Sequence, residues 1–344
     1  MCAKLRALVT TLLLTSLFTA SRAAALPDPS ADGPYDAGYL LTTFTRRATL
    51  VDAERAMTTY VWYPADAADE PRDVLGYAGA AVHAGRHPVL IFSHGGCAHP
   101  IASSYLTKAL ASWGFIVVTP SHPGDTILDG MESCDWAELR TPTLIERVAD
   151  VRAVLDSLGD GGWQDTDATG ALLAGHLDLT RTGVVGWSSG ASTALVVGRE
   201  DPRIRAVLSL APDVRPERIG LRPPAAPTMV MEGVLDFYDQ PQTALDEIYR
   251  RLATPRFAVE MQRTGHFAFS DDCFADAIGG IDCGEGTLTQ AEAHRLVLRF
   301  AVPFLLRYAG GFPAWSDLLR PGRVAPDAEL RADLGRVRRL PLQR

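Results

Sequence analysis

Positive charge is scarce in this chain. Its 33 lysine and arginine residues are outnumbered by 41 aspartate and glutamate residues, and the net charge is −8. This balance gives no reason to expect a nucleic acid or an anionic membrane surface as a partner. No internal repeat or shift in composition marks a second domain. With 344 residues and 47% apolar content, the chain can form one large domain with a sizeable core.

The sequence also has no apolar run of the length that spans a bilayer. The stretch from Leu8 to Phe18 is shorter than the ~20 residues of a membrane-spanning helix. It follows the basic residues Lys4 and Arg6 and precedes a run of small residues ending at Ala25, the order of an export signal. We therefore expect a signal peptide at 1–25, a secreted or periplasmic protein and no integral membrane association.

Cysteine is rare as well, with five in the whole chain. Cys2 lies in the expected signal, so the mature chain keeps Cys97, Cys134, Cys273 and Cys283. An even number in an exported protein predicts two disulfides, for which three connectivities are possible. We expect Cys273 to pair with Cys283 across one loop, which leaves Cys97 with Cys134.

Short apolar strands alternate with helices over most of the chain. Two β-like runs come first, at 38–51 and 56–63. The later strands are expected at 88–93, 115–119, 182–187, 206–210, 228–232 and 256–262, and the helices at 103–113, 142–158, 189–197, 242–252 and 289–308. This order predicts an α/β fold with a mostly parallel sheet, helices on both faces and an antiparallel start. The domain should span 26–310, and 311–344 should form a surface tail.

The strongest local signal is the Gly-x-Ser-x-Gly sequence from Gly186 to Gly190, between an apolar strand and a small-residue helix. A tight turn at this junction exposes Ser188 at the carboxyl end of the strand, and flanking glycines remove the steric clashes. The alternative is a plain turn with a serine capping the helix. The context favours Ser188 as a nucleophile.

A nucleophilic serine needs a base and an orienting acid. His266 follows the last strand in a glycine-containing loop and is our candidate base. Two aspartates follow strands between the serine and the histidine. We favour Asp236, in a glycine-containing turn, and keep Asp213 as the alternative acid. Either one has the competing interpretation of a turn or cap residue.

Two backbone donors are needed for an oxyanion. Ser189, the residue after the nucleophile, supplies one N–H group. The glycine-rich loop after the strand at 88–93 supplies the other, from Gly96 or alternatively from Cys97. The aromatic residues Trp187 and Phe267 are the candidate substrate contacts, with a place in the core as the competing interpretation.

Four segments together resemble a known family: 93–96 (SHGG), 122–125 (HPGD), 186–190 (GWSSG) and 265–271 (GHFAFSD). They are similar to the bacterial relatives of platelet-activating factor acetylhydrolase and to the dienelactone hydrolase and cutinase-like polyester hydrolase group. The resemblance covers about residues 40–310. It implies an α/β-hydrolase fold with a mostly parallel central sheet and a Ser-His-Asp mechanism.

The resemblance leaves the acid open, because the acetylhydrolase pattern matches Asp213 and the polyester hydrolase pattern matches Asp236. We expect a serine esterase acting on a small-molecule, lipid or polyester ester, with no metal or organic cofactor. The alternatives are a peptidase or thioesterase on the same fold, or a non-catalytic binding protein. The sequence does not indicate the oligomeric state.

Overall fold

The computed structural model describes residues 25–67, 71–130, 141–159, 168–212, 223–236, 241–271, 286–320 and 324–335. Within these ranges, eleven strands form one sheet. The strands are β1 (Asp36–Arg47), β2 (Glu54–Ala65), β3 (Tyr77–Ala78), β4 (His87–Ser93), β5 (Ile116–Pro120), β6 (Leu177–Trp187), β7 (Ile204–Leu210), β8 (Thr228–Gly233), β9 (Arg256–Met261), β10 (Val324–Ala325) and β11 (Ala328–Asp333). The α-helices are α1 (Ser104–Ser112), α2 (Thr141–Gly159), α3 (Ala168–Leu173), α4 (Ser189–Glu200), α5 (Pro241–Arg251) and α6 (Gln290–Tyr308).

The sheet has the order β10-β11-β9-β8-β7-β6-β4-β5-β2-β1-β3. The six strands from β9 to β5 in this order are parallel to one another. At the other end, β2 runs antiparallel to both β1 and β5. The predicted mostly parallel sheet with an antiparallel start is therefore confirmed.

Helices cover both faces of the sheet, and the central strands are apolar on both sides for that reason. In β4, Leu90 and Phe92 pack into a core with residues of α1 and α6, whereas Val89 and Ile91 pack into a second core with residues of α2, α4 and α5. All residues of β4 are buried. Because the central strands are parallel, their carboxyl ends all lie at one edge of the sheet, which is where open α/β sheets bind ligands.

The segment after residue 310 differs from the expected surface tail. Strand β11 pairs antiparallel with β9, with Leu330 opposite Val259, and Leu330 is buried in the core. Trp315 also lies in that core, with its ring 5.3 Å from the Trp113 ring. The unpaired edge of β9 needs a hydrogen-bonding partner, and the alternation of apolar and polar residues in β11 fits that place.

Several expectations fall on residues that the structure does not describe. Residues 1–24 of the expected signal peptide are among them, as are Cys134, Cys273 and Cys283. Export and both disulfides therefore stay predictions. In the described ranges, no helix has both the length and the apolar character that crossing a bilayer requires.

Candidate active site

Ser188 lies in a sharp turn between β6 and α4. Its backbone angles are φ 55° and ψ −121°, a combination that residues other than glycine rarely adopt. Such a conformation costs about 1–3 kcal/mol and persists only where the surrounding structure imposes it. Here the Ser188 N–H donates to the Leu210 carbonyl oxygen at 2.9 Å, at the end of the neighbouring strand β7. The hydroxyl is thereby held at the carboxyl edge of the sheet.

The two glycines of the motif are required by close backbone contacts. A Cβ atom on Gly186 would lie 2.0 Å from the Gly190 carbonyl oxygen. A Cβ atom on Gly190 would lie 1.9 Å from the Ser93 carbonyl oxygen, at the end of β4. The start of α4 thus packs directly against the backbone that follows β4, and this contact brings Ser188 near the loop at 93–97.

We expect Gly190→Ala to destabilise the fold by about 3 kcal/mol or more, because α4 must move away from β4 to make room for the methyl group. Urea unfolding measures this change. Gly159→Ala is the matched control, since no described atom lies within 4 Å of the added Cβ atom. Equal unfolding midpoints for the two variants would contradict the packing described for this turn.

His266 follows β9 in a short 3₁₀ turn and is buried. Its Nε2 lies 2.9 Å from Ser188 Oγ, and its Nδ1 lies 2.7 Å from Asp236 Oδ2. An ionised carboxylate only accepts hydrogen bonds, so the proton of the neutral ring belongs on Nδ1. Nε2 is then free to accept the Ser188 hydroxyl proton.

Asp236 reaches His266 because the turn after β8 packs against the histidine loop. The Leu235 N–H donates to the Thr264 carbonyl oxygen at 2.9 Å. A Cβ atom on Gly233 would lie 2.5 Å from that same oxygen, so only glycine allows this approach. Asp213, the alternative acid, lies outside the described residues.

Trp187, expected at the substrate, is 4% exposed and lies beneath the histidine loop. Its indole N–H donates to the His266 carbonyl oxygen at 3.0 Å. The ring contacts the edge of Phe267, with the centroids 5.6 Å apart, and Phe267 itself is partly exposed. Trp187 therefore supports the position of the base, and Phe267 has the exposure that a substrate contact needs.

The loop after β4 brings the candidate oxyanion donors together. A Cβ atom on Gly96 would lie 2.9 Å from Ser189 Oγ, so Gly96 lies against the first residue of α4. The Cys97 N–H instead donates to Asp125 Oδ1 at 3.0 Å. Among the described contacts, the Gly96 N–H has no such side-chain acceptor. Gly96 is therefore the better candidate for the oxyanion donor in this loop.

A group of buried charged residues beside this loop was not identified from the sequence. Arg147 is fully buried and pairs with Asp125, and Asp150 is fully buried and contacts His122. Burial and the nearby Arg147 charge lower the pKa of His122 to about 4, so this ring is neutral at pH 7. The sequence does contain a signal for this group. Arg147 and Asp150 lie one turn apart on α2, among the apolar residues of its buried face, where charged residues are unusual.

A hydroxyl bonded to an imidazole that a buried carboxylate orients can lose its proton as it attacks a carbonyl carbon. Two backbone N–H groups next to that hydroxyl can stabilise the negative charge that develops on the carbonyl oxygen. The arrangement is therefore suited to acyl transfer.

Comparison with known proteins gives two relevant similarities. Lipase 1 of Moraxella sp. (strain TA144) is 28% identical over 158 residues, which are 46% of this chain and 41% of the lipase. The structure of ferulic acid esterase from Streptomyces cinnamoneus superimposes with a TM-score of 0.69 at 21% identity, covering 87% of this chain and 98% of the esterase. No family model matches the chain. The protein has the α/β-hydrolase fold.

Proposed function

We propose that this protein is a serine hydrolase that cleaves carboxylic esters through an acyl-enzyme on Ser188. The observation that carries the proposal is the hydrogen-bonded chain from Ser188 through His266 to Asp236 at the carboxyl edge of the sheet. The similarities to a lipase and to a ferulic acid esterase support ester bonds as the target. We assign the chain to the acetylhydrolase, dienelactone hydrolase and polyester hydrolase group on its motifs.

In the proposed reaction, Ser188 Oγ attacks the ester carbonyl carbon while His266 Nε2 takes its proton. The N–H groups of Gly96 and Ser189 hold the oxyanion of the tetrahedral intermediate. The C–O bond of the ester then breaks, and His266 returns the proton to the leaving alcohol. Water, deprotonated by the same ring, then attacks the acyl-enzyme; the bond to Ser188 Oγ breaks, His266 returns the proton to that oxygen, and the acid leaves. Asp236 orients the ring throughout and stays ionised.

The surroundings of the site favour an ester with an apolar acyl or aromatic group. Ile127 and Leu128 are 39% and 45% exposed, and the Ile127 N–H donates to the Ala98 carbonyl oxygen, next to the loop that carries Gly96. Leu235, which precedes Asp236, is 38% exposed. Exposed apolar side chains thus flank the site on two sides: beside the loop at 93–97, called the oxyanion loop below, and beside Asp236.

A substrate screen with the purified protein tests this function. Turnover of p-nitrophenyl esters from acetate to dodecanoate should be measured beside a phospholipid, a polyester, a thioester and a peptide. Labelling by a fluorophosphonate should modify Ser188, with Ser188→Ala as the unlabelled control. We expect ester turnover and a labelled Ser188. Faster turnover of the thioester or the peptide would point to those activities, and neither labelling nor turnover would favour a binding protein.

We also propose export through the signal at 1–25, with both disulfides formed in the mature protein. Thiol titration of the denatured, unreduced protein should find no free thiol, whereas a reduced sample should give four. Finding two or four thiols before reduction would contradict this pairing. Removing Cys273 and Cys283 together should lower the free energy of unfolding by about 2–4 kcal/mol, because the bond restricts the unfolded chain.

A further inference from the structure

The buried guanidinium of Arg147 holds the backbone of the loop that carries Gly96. Its Nη1 donates to the His94 carbonyl oxygen at 2.8 Å and to Ser93 Oγ at 3.1 Å. Its Nη2 donates to the Gly95 carbonyl oxygen at 3.0 Å. Its Nε donates to Asp125 Oδ2 at 2.6 Å. One side chain on α2 therefore binds three consecutive residues of this loop.

The bonds to the Gly95 carbonyl oxygen, of which Arg147 supplies one from a buried charge, determine where the Gly96 N–H points. The Gly95 carbonyl and the Gly96 N–H belong to one planar trans peptide group and point in opposite directions, so fixing the oxygen also fixes the N–H. The same oxygen lies 2.7 Å from His94 Nδ1. The backbone N–H of His122 points at His94 Nε2, at 3.3 Å, which places the His94 proton on Nδ1 as a further donor to Gly95. The Ala98 N–H also donates to the Gly95 oxygen, at 3.2 Å.

Asp125 holds the other side of Gly96. One of its carboxylate oxygens binds Arg147, and the other accepts the Cys97 N–H at 3.0 Å. The residues on both sides of Gly96 are thus held by one ion pair: Arg147 binds the Gly95 carbonyl oxygen, and Asp125 binds the Cys97 N–H. Because the Arg147 side chain is fully buried, water does not compete for these bonds.

A neighbouring set of residues has the hydrogen-bond order of a catalytic triad. Ser93 Oγ lies 2.8 Å from His122 Nε2, and His122 Nδ1 lies 2.9 Å from Asp150 Oδ2. All three residues are 0% exposed, so no substrate reaches this serine. The Arg55 guanidinium pairs with the Asp150 carboxylate and balances its charge. We therefore assign it an anchoring role for Ser93 and no chemistry of its own.

We propose that Arg147 and Asp125 are positioning residues that aim the Gly96 N–H at the oxyanion of the transition state. The proposal rests on the ester hydrolysis proposed above. A donor fixed before the reaction begins needs no reorganisation when charge develops, and such donors are worth about 10²–10³ in kcat. The buried positive charge of Arg147, beside the Gly95 carbonyl oxygen, also polarises the peptide group in the direction that strengthens the Gly96 N–H as a donor.

The test compares Arg147→Lys with Arg181→Lys. Lysine keeps the charge of Arg147, but a single ammonium group cannot reproduce the planar fork that binds Asp125 and the loop carbonyls. Arg181→Lys makes the same change in the first half of β6, away from the carboxyl edge of the sheet. The Arg181 guanidinium likewise binds one carboxylate, on Asp178, and two backbone carbonyl oxygens. We expect Arg147→Lys to lower kcat by about 100-fold while KM for the best p-nitrophenyl ester changes by about threefold or less. Arg181→Lys should lower the thermal midpoint and leave kcat of the folded enzyme unchanged.

An inhibitor pair separates positioning from loss of structure. A trifluoromethyl ketone forms a tetrahedral adduct with Ser188, so its inhibition constant should rise with the loss of kcat in Arg147→Lys. The matching alcohol forms no oxyanion, and its inhibition constant should not change. Equal kcat values for Arg147→Lys and Arg181→Lys, or equal losses of affinity for both inhibitors, would overturn the proposal.

If Arg147→Lys does not fold, Asp125→Asn tests the same proposal from the other side of the ion pair. The amide retains an acceptor for the Cys97 N–H but loses the charge that holds Arg147, and we expect about a tenfold loss of kcat. Wild-type kcat in Asp125→Asn would overturn the proposal. A wild-type protein that neither turns over esters nor reacts with a fluorophosphonate would instead refute the proposed function.

Discussion

Ser188→Ala is expected to lower ester hydrolysis by about a million-fold and to leave the fold intact. In the proposed mechanism this hydroxyl forms the acyl-enzyme, and it lies 2.9 Å from His266 Nε2. The substitution removes one oxygen and keeps the turn, because alanine meets the same backbone strain at φ 55° as serine. Steady-state turnover of the best p-nitrophenyl ester measures the loss, and thermal unfolding checks the fold.

Ser189→Ala is the matched control for that experiment. Ser189 is the next residue, its side chain lies beside Gly96, and its expected contribution is a backbone N–H that alanine retains. Its rate should stay within about tenfold of the wild-type rate. An active Ser188→Ala together with an inactive Ser189→Ala would move the nucleophile by one position and refute the site assignment.

Asp236→Asn is expected to lower kcat by about four orders of magnitude. Asparagine can turn its amide N–H toward His266 Nδ1, which must then accept that hydrogen bond. The ring proton then lies on Nε2, and Nε2 can no longer take the Ser188 proton. The developing imidazolium also loses the buried negative charge 2.7 Å away. KM should change little, because this carboxylate faces the imidazole ring. A pre-steady-state burst of p-nitrophenol should slow by the same factor as kcat, since acylation and deacylation both use the base.

Asp213→Asn is the comparison for this variant, and its rate should change by about tenfold or less because a turn or cap role fits its place after a proline. An exchange of the two results would assign the acid to Asp213, as the acetylhydrolase pattern implies. Equal large losses would mean that both carboxylates contribute to the orientation of His266.

The sequence by itself determined the parallel sheet and the candidate nucleophile and base. Strands buried on both faces are apolar throughout, and a helix between two of them places both in parallel, so the order of elements predicts the sheet. The turn at Ser188 is visible in the sequence as a glycine-flanked motif, although the contact that requires Gly190 is with Ser93 at the end of β4. His266 follows the last strand of the predicted parallel set. Each of these signals is local along the chain.

The tertiary structure decided which groups are in contact across distant parts of the chain. The contact of Asp236 with His266 depends on how the turn after β8 packs against Thr264. The Trp187 indole is beneath the histidine loop because of a contact between residues 79 positions apart. Strand β11 is placed by the open edge of β9. The bonds from Arg147 to the oxyanion loop span more than 50 residues. These contacts are set by packing between elements that are far apart in the sequence. The residues around one partner therefore give no indication of which residue the other partner is.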